Sequence, residues 1–520
     1  MPVHHRLPTT KLLVFAVLNS LFACFTVGYN LSVFNIPSDK LKQVVNASVQ
    51  RHYDTVLSES SLEALFAFVV ACYNIGAIAG SLLVMVVANR YGRRFSHFVI
   101  CSLSSIVGST LQMIGVFVGA FELIIIGRMT SGVSSGLVTG VLPIYLTECS
   151  PDRYRGFIAN MEGLFITSTT LIGTIVSLEN VLGRDDTLAY LLGVPIVPST
   201  ILLCMMPLFP ETPKFIYIVK RNERKAKASL SYYHGIDAEV DEIFDEYRKE
   251  HELAKTNLTF LQVVHDFNML WPTFLGFLMM AASMTTGILA MFNYSTVVFQ
   301  DVTGDVKIAQ YLTIAMSACN TLGGVGALFL IDRVGRRHLM LIGSGVIVLC
   351  NGLFVILYEV GKTNRDNGGP LAYVACVVII VHVTVFNLGP GAVVWFFAAE
   401  ITPQAARSIS SSVSVTTNWL SSLILIQLFP ELNNAIGAYS FIPLFIVPGI
   451  ILNSMLFFWL PESKNKTIDE ISQTWWRHKS TPQTNFSRSP DEDNDSQYNG
   501  EPPPYQALSS TSYGSIQSHF

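Results

Sequence analysis

Twelve stretches of about twenty mostly apolar residues follow one another along this chain, beginning near Leu12, Leu62, Ser96, Phe121, Phe157, Leu188, Leu270, Ile308, Leu339, Leu371, Ile409 and Phe441. A helix needs roughly 20 such residues to cross a ~30 Å hydrocarbon core, and within lipid every backbone N–H and C=O must be bonded inside the segment. The pattern predicts an all-α membrane protein with twelve transmembrane helices. Half of the residues are hydrophobic and 13% are charged, so lipid is the solvent for much of the surface. The first run, Leu12 to Phe34, is too long for a signal-peptide core and lacks a small-residue cleavage site, so it is read as a retained span. A net charge of -4, with no basic run interleaved with aromatics, excludes nucleic acid as a partner. The eight cysteines fall in or beside apolar runs, and no His or Cys set has metal-ligand spacing, so neither metal nor cofactor is expected.

Placing the N-terminus in the cytosol puts 25 of the 33 Lys and Arg inside and 7 outside, with Arg128 alone within a span; the opposite placement inverts that ratio. Pro37 to Ser61 then forms an extracellular loop in which Asn46-Ala47-Ser48 is a glycosylation acceptor. Ser60 and Glu63 read as a capping box at the start of the second span. The chain also repeats itself. Asn89-Arg-Tyr-Gly-Arg-Arg94 returns as Asp332-Arg-Val-Gly-Arg-Arg337, Glu148 and Arg155 return as Glu400 and Arg407, and Pro210-Glu211-Thr212 returns as Pro461-Glu462-Ser463. Similar offsets at three places predict two six-helix pseudo-symmetric halves of like topology. The expected divisions are a cytosolic N-terminus (1–11), a first half (12–208), a cytosolic helical linker (209–268), a second half (269–460) and a cytosolic tail (461–520) disordered after about residue 480.

On these residues the chain resembles the sugar porter family of the major facilitator superfamily, and within it the facilitative glucose transporter branch. The matching elements include Gly28-Tyr29-Asn30, Gly127-Arg128, Pro143 to Gly156, Pro210 to Phe215, Gly389 to Trp395, Asn418-Trp419 and Pro461 to Thr467, together with both arginine repeats. The resemblance implies alternating access, in which the halves rock about a central site. It assigns a gating role to Arg93, Arg94, Glu148, Arg155 and Glu211, and to Arg336, Arg337, Glu400, Arg407 and Glu462. Single exposed pairs contribute only ~0.2–1 kcal/mol, but several at one interface bias a two-state equilibrium on the scale that a gate needs.

The resemblance also bears on energetics. Proton-coupled members carry an Asp where Asn30 stands, and an amide does not titrate, which favours uniport. Glu162 in the fifth span and His382 in the tenth, with Arg128, remain coupling candidates because a charge inside a span is a functional candidate by default. The alternative for Glu162 and His382 is a satisfied polar residue beside a water-filled cavity. The family's sugar site implies Asn320, Trp395 and Asn418 as binding residues here; Trp419 beside them, Asn387 where the family has an acid, Ser283 where it has an amide, and nearby Asn293 are further candidates. Three of its amide positions, however, read Gly163, Met284 and Leu289. A millimolar site is worth only about 4 kcal/mol and each unpartnered buried hydroxyl costs ~1–3 kcal/mol, so these losses matter. Thr285, Thr286 and the run Thr167 to Thr170 are candidates to compensate.

Gly132-Val-Ser-Ser-Gly136 matches a hydrolase nucleophile motif but lies inside a span with no strand before it, and is read as helix packing. In the tail, Pro502 to Tyr505 fits a WW-domain ligand and Tyr513 to Ile516 an endocytic adaptor signal. The chain is therefore read as a carrier, not an enzyme, for a hexose, polyol or similar small neutral solute, residing in the plasma membrane or in endosomal vesicles. A proton-coupled symporter and a transporter-like nutrient sensor are the alternatives.

Overall fold

The computed structural model describes residues 9–151, 154–235, 260–363, 369–402 and 406–464, with a few residues of 240–248 and 466–471. The tail motifs at Pro502 to Tyr505 and Tyr513 to Ile516 lie outside the described residues, as does most of the tail's span 461–520. Regular structure among the described residues is helical throughout. The first half comprises α1 (Thr10–Ser32), a surface helix α2 (Ser38–Tyr53), α3 (Glu59–Tyr91), α4 (Ser102–Val118), α5 (Phe121–Cys149), α6 (Met161–Val176) and α7 (Ile196–Cys204). A connecting helix α8 (Glu223–His234) follows. The second half comprises α9 (Phe267–Met284), α10 (Ile288–Thr303), α11 (Val306–Val334), α12 (Arg336–Thr363), α13 (Gly369–Leu388), α14 (Pro390–Ile401), α15 (Arg407–Ile436) and α16 (Val447–Trp459).

Among the described residues, eleven segments are long and apolar enough to cross a membrane. The fifth of the twelve positions is α6, 16 residues preceded by the short helix Arg155–Ala159. The seventh and tenth positions are each built of two helices. Between α9 and α10 the chain turns at Gly287, whose φ of +90° only glycine adopts without strain. Between α13 and α14 it breaks at Gly389-Pro390, where the proline ring takes the first helical position because its missing N–H would be unbonded there anyway. Large apolar side chains such as Leu82, Phe329, Leu349 and Phe458 stay exposed on the bundle's outside, as lipid-facing residues do.

Two local expectations are corrected. The cap of α3 is Ser58, not Ser60: Ser58 is the residue in extended conformation, and its Oγ accepts the Ser61 N–H at 3.3 Å. The segment after α1 is not a plain loop, because 38–53 forms α2, with Leu41, Val45 and Val49 buried at helical spacing. Asn46 therefore sits half-buried on a helix, and the Ser48 hydroxyl of its triplet accepts the Phe121 N–H at 3.0 Å, capping α5.

The motif Gly132 to Gly136 is packing. A Cβ at Gly132 or Gly136 would strike the backbone of α3 at Tyr73 or Ala77, and one at Gly76 or Gly80 would strike α5 at Met129 or Val133. Four glycines thus bring α3 and α5 to backbone contact. Across the halves, α3 packs on α15 and α6 on α11.

Candidate functional site

Between the halves lies a cavity of about 70 Å³. At ~10–15 Å³ per water centre it has room for roughly five waters, the scale of a small polar solute. The second half supplies its polar wall: Asn320 on α11, Asn387 on α13, Trp395 on α14, and Asn418 with Trp419 on α15. The first half offers Val27, Leu31, Gly163, Ile166 and Thr167. Asn387 Nδ2 donates to the Asn320 carbonyl at 2.9 Å. Asn320 Oδ1 and Nδ2, Asn418 Oδ1 and Trp419 Nε1 are buried with no protein partner. Buried polar atoms left so cost ~1–3 kcal/mol each, which water or a bound solute offsets.

Five of the seven binding residues inferred from sequence thus meet at one cavity, and Gly163, Met284 and Leu289 border it as well. Ser283 and Asn293 do not. Ser283 lies one residue, about 100° of helix, from the cavity-facing Met284. Asn293 Nδ2 bonds the Leu289 carbonyl of its own helix at 2.8 Å. A side chain at Gly163 would enter open space. Phe292 and Phe386 also border the cavity, and their place was not legible because nothing in an apolar helix marks which face meets a void.

A second cavity of about 40 Å³ shares Gly163, Asn387, Gly391 and Trp395 with the first and adds Pro143, Asn160, Glu162 and Phe396. Pro143 lies in the last third of α5 and Phe396 beneath the Arg336 guanidinium, so this space leads toward the end of the molecule that carries the arginine repeats. Glu162 Oε1 is buried without a partner. His382 is buried in α13, borders neither cavity, and its Nε2 has no partner. Arg128 donates to the carbonyls of Asn30 and Val70, both at 3.1 Å, and stacks on Phe34 and Tyr73. The Asn30 amide itself turns to the Thr26 carbonyl at 2.8 Å.

At the arginine end the two halves build the same device. Gly92 and Gly335, with φ of +91° and +98°, end α3 and α11. The Glu211 carboxylate then accepts the N–H groups of Arg93 and Arg94 at 3.1 and 3.0 Å, and Glu462 accepts those of Arg336 and Arg337 at 2.9 and 3.2 Å. Each is a carboxylate set on a helix N-terminus. Arg93 pairs with Glu148 at 2.9 Å and Arg336 with Glu400 at 3.5 Å, while Thr212 and Ser463 donate to those same carboxylates. Arg155 and Arg407 open the helices that follow. These ion pairs close within a half. Burial pushes the Glu211 and Glu400 carboxyls above their ordinary range. Burial acts the same way on Glu462, but the backbone N–H groups of Lys464, Arg336 and Arg337 outweigh it and hold that carboxyl low.

Contacts across the halves concentrate toward the opposite end. Asn35, just after α1, donates to Ser295 Oγ at 2.8 Å and accepts the Thr296 N–H at 3.2 Å on α10. Glu63 accepts from Asn434, and Thr174 bonds Ser317 at 3.2 Å. Deeper in, Thr321 donates to the Thr167 carbonyl, and nearer the arginine end Ser81 meets Thr416 at 3.3 Å.

Two duplicated six-helix halves around a polar-walled central cavity, joined at one end and tunnelled toward the other, define a membrane carrier of the major facilitator fold, and not an enzyme. The chain belongs to the sugar transporter family: the family model described as "Sugar (and other) transporter" matches residues 15–475. It is 31% identical to facilitated glucose transporter member 3 of solute carrier family 2 from Mus musculus over 471 residues, covering 90% of this chain and 94% of the relative. It is 30% identical to member 14 from Homo sapiens, covering 91% and 89%. Among solved structures, the proton:xylose symporter XylE bound to 6-bromo-6-deoxy-D-glucose superposes with a TM-score of 0.74 at 20% identity, over 90% of this chain and 100% of that one. The inward-open XylE of E. coli superposes at 0.69 with 21% identity, over 89% and 100%.

Proposed function

We propose that this chain is a uniporter for a hexose, a polyol or a similarly small neutral solute, and that it works by alternating access. The observation that carries the reading is the set of unpartnered amide atoms of Asn320 and Asn418 on a cavity between the halves. Sugar hydroxyls donate and accept, and so match amides; the flat face of Trp395 matches the apolar face of a sugar ring. The relatives named as facilitated glucose transporters support hexose. Uniport is supported at α1, where Asn30 cannot titrate and Arg128 is bonded to carbonyls rather than to a carboxylate.

The arginine end faces the cytosol, with both termini, by the excess of Lys and Arg there. Asn46 then faces outside, and the bonds of Asn35 to Ser295 and Thr296 close the outer mouth. The duplicated charges hold each half's inner end rigid and meet across the interface in the outward-open state. Saturable uptake of glucose, xylose, sorbitol or inositol into proteoliposomes, with no change in luminal pH, is the expected result. Binding without flux would favour a sensor, and a luminal pH that follows the sugar would favour a symporter.

A further inference from the structure

Glu162 is the acidic residue that borders the passage between the halves, and neither cavity is lined by a Lys, Arg or His. It is 4% exposed, its Oε1 has no hydrogen-bond partner, and no ion pair among the described residues involves it. The carboxylates at the arginine end are all treated differently: Glu148 and Glu400 have arginines, and Glu211 and Glu462 have backbone N–H groups. A buried carboxylate oxygen without a partner is relieved either by a proton on the group or by a cation beside it. Two aromatic residues, Trp395 and Phe396, border the same space, and aromatic faces attract ammonium groups. Beside the carboxylate, Gly163 presents no side chain, and a Cβ there would meet nothing, so a substituent on a sugar ring has room.

From this arrangement we infer that the passage prefers an amino sugar to a neutral hexose, with the sugar's ammonium group on the Glu162 carboxylate between Trp395 and Phe396. The inference rests on the carrier reading above and changes its preferred solute from a neutral to a cationic sugar. The solute's own charge then does for Glu162 what no cation among the described residues does, and the amides of Asn320 and Asn418 hold the ring's hydroxyls. A proton is the competing occupant of the carboxylate.

The test compares glucosamine, glucose and uncharged N-acetylglucosamine at pH 7, where an amine as acidic as a peptide α-amino group, of pKa about 7.7–8.0, is largely charged. Binding is read from tryptophan fluorescence and transport from uptake into proteoliposomes. Glucosamine should bind at least tenfold tighter than glucose in the wild type, and the ratio should fall to near one in Glu162→Gln. A wild-type ratio near one overturns the inference whether or not the variant folds, and so does a ratio that Glu162→Gln leaves unchanged. Glucose uptake that carries protons and stops doing so in Glu162→Gln also overturns it, assigning the site to a proton. Absence of flux for every sugar would count against the carrier reading alone, since the binding ratio is still measured.

Discussion

The two halves of this transporter are nearly alike at the arginine end and unlike at the centre. At the end, Gly92 and Gly335, Glu211 and Glu462, and the pairs of Arg93 with Glu148 and Arg336 with Glu400 repeat one geometry. At the centre, the second half presents Asn320, Asn387, Trp395 and Asn418, whereas the first presents Val27, Leu31, Gly163, Ile166 and Thr167, whose hydroxyl donates to the Leu164 carbonyl of its own helix. The difference follows from what each place must do. A helix N-terminus needs a carboxylate wherever it occurs, so both copies keep it. A solute site is single, and one half holding the solute while the other moves against it is enough for alternating access.

The helix crossings offer the strongest way to break this comparison. In the first half, α3 and α5 touch backbone to backbone through four glycines; where α11 crosses α13 in the second, Gly323 alone does so, against the Thr384 carbonyl, and a Cβ at Gly326 would meet only the end of the Leu388 side chain. Gly136→Val should cost about 3 kcal/mol and lower the yield of monodisperse protein, while Gly326→Ala should cost less than about 1 kcal/mol. Equal tolerance at both sites, read by size exclusion after heating, would remove the asymmetry.

A smaller effect is expected at the charges. The Arg93–Glu148 pair is shorter than Arg336–Glu400 and its carboxylate is less exposed, 10% against 28%. Glu148→Gln should cost about 2 kcal/mol and Glu400→Gln about 1 kcal/mol, read as thermal midpoints in detergent. The acid response should differ in sign between the matching carboxylates Glu211 and Glu462. Glu462, held low in the folded state, contributes stability above the unfolded carboxyl value of about 4.3 that is lost as pH falls through its folded value. Glu211, held high by burial, carries a cost that protonation relieves as pH falls. Glu462→Gln should therefore flatten the acid side of the stability profile, and Glu211→Gln should not.

Much of this was legible in the sequence, for physical reasons. Twelve spans follow from hydropathy, since lipid imposes one length on every crossing. The duplicated motifs identified the arginine end, and the amides of Asn320, Asn387 and Asn418 were reached through family resemblance, as polar residues in apolar helices. Local phase and tertiary pairing were not legible. Ser283 and Asn293 sit on either side of the break at Gly287, where helical periodicity no longer says which side chain faces the cavity. The cap at Ser58 rather than Ser60 depends on which serine is extended, and serines at 58, 60 and 61 look alike on paper. The bonds of Asn35 to Ser295 and Thr296 join residues about 260 positions apart and leave no mark in either segment.

The central claim is that, for a neutral hexose, amides of the second half grip the ring while the first half's side chains at the central cavity only enclose it. Its most direct test is the dissociation constant of a transported hexose, measured on purified wild-type protein and on Asn320→Ala, Asn418→Ala and Leu31→Ala. Each asparagine change should weaken binding about tenfold, or about 1.4 kcal/mol, and Leu31→Ala should stay within about twofold. Tight hexose binding that ignores both asparagine changes but is lost with Leu31→Ala would contradict the account.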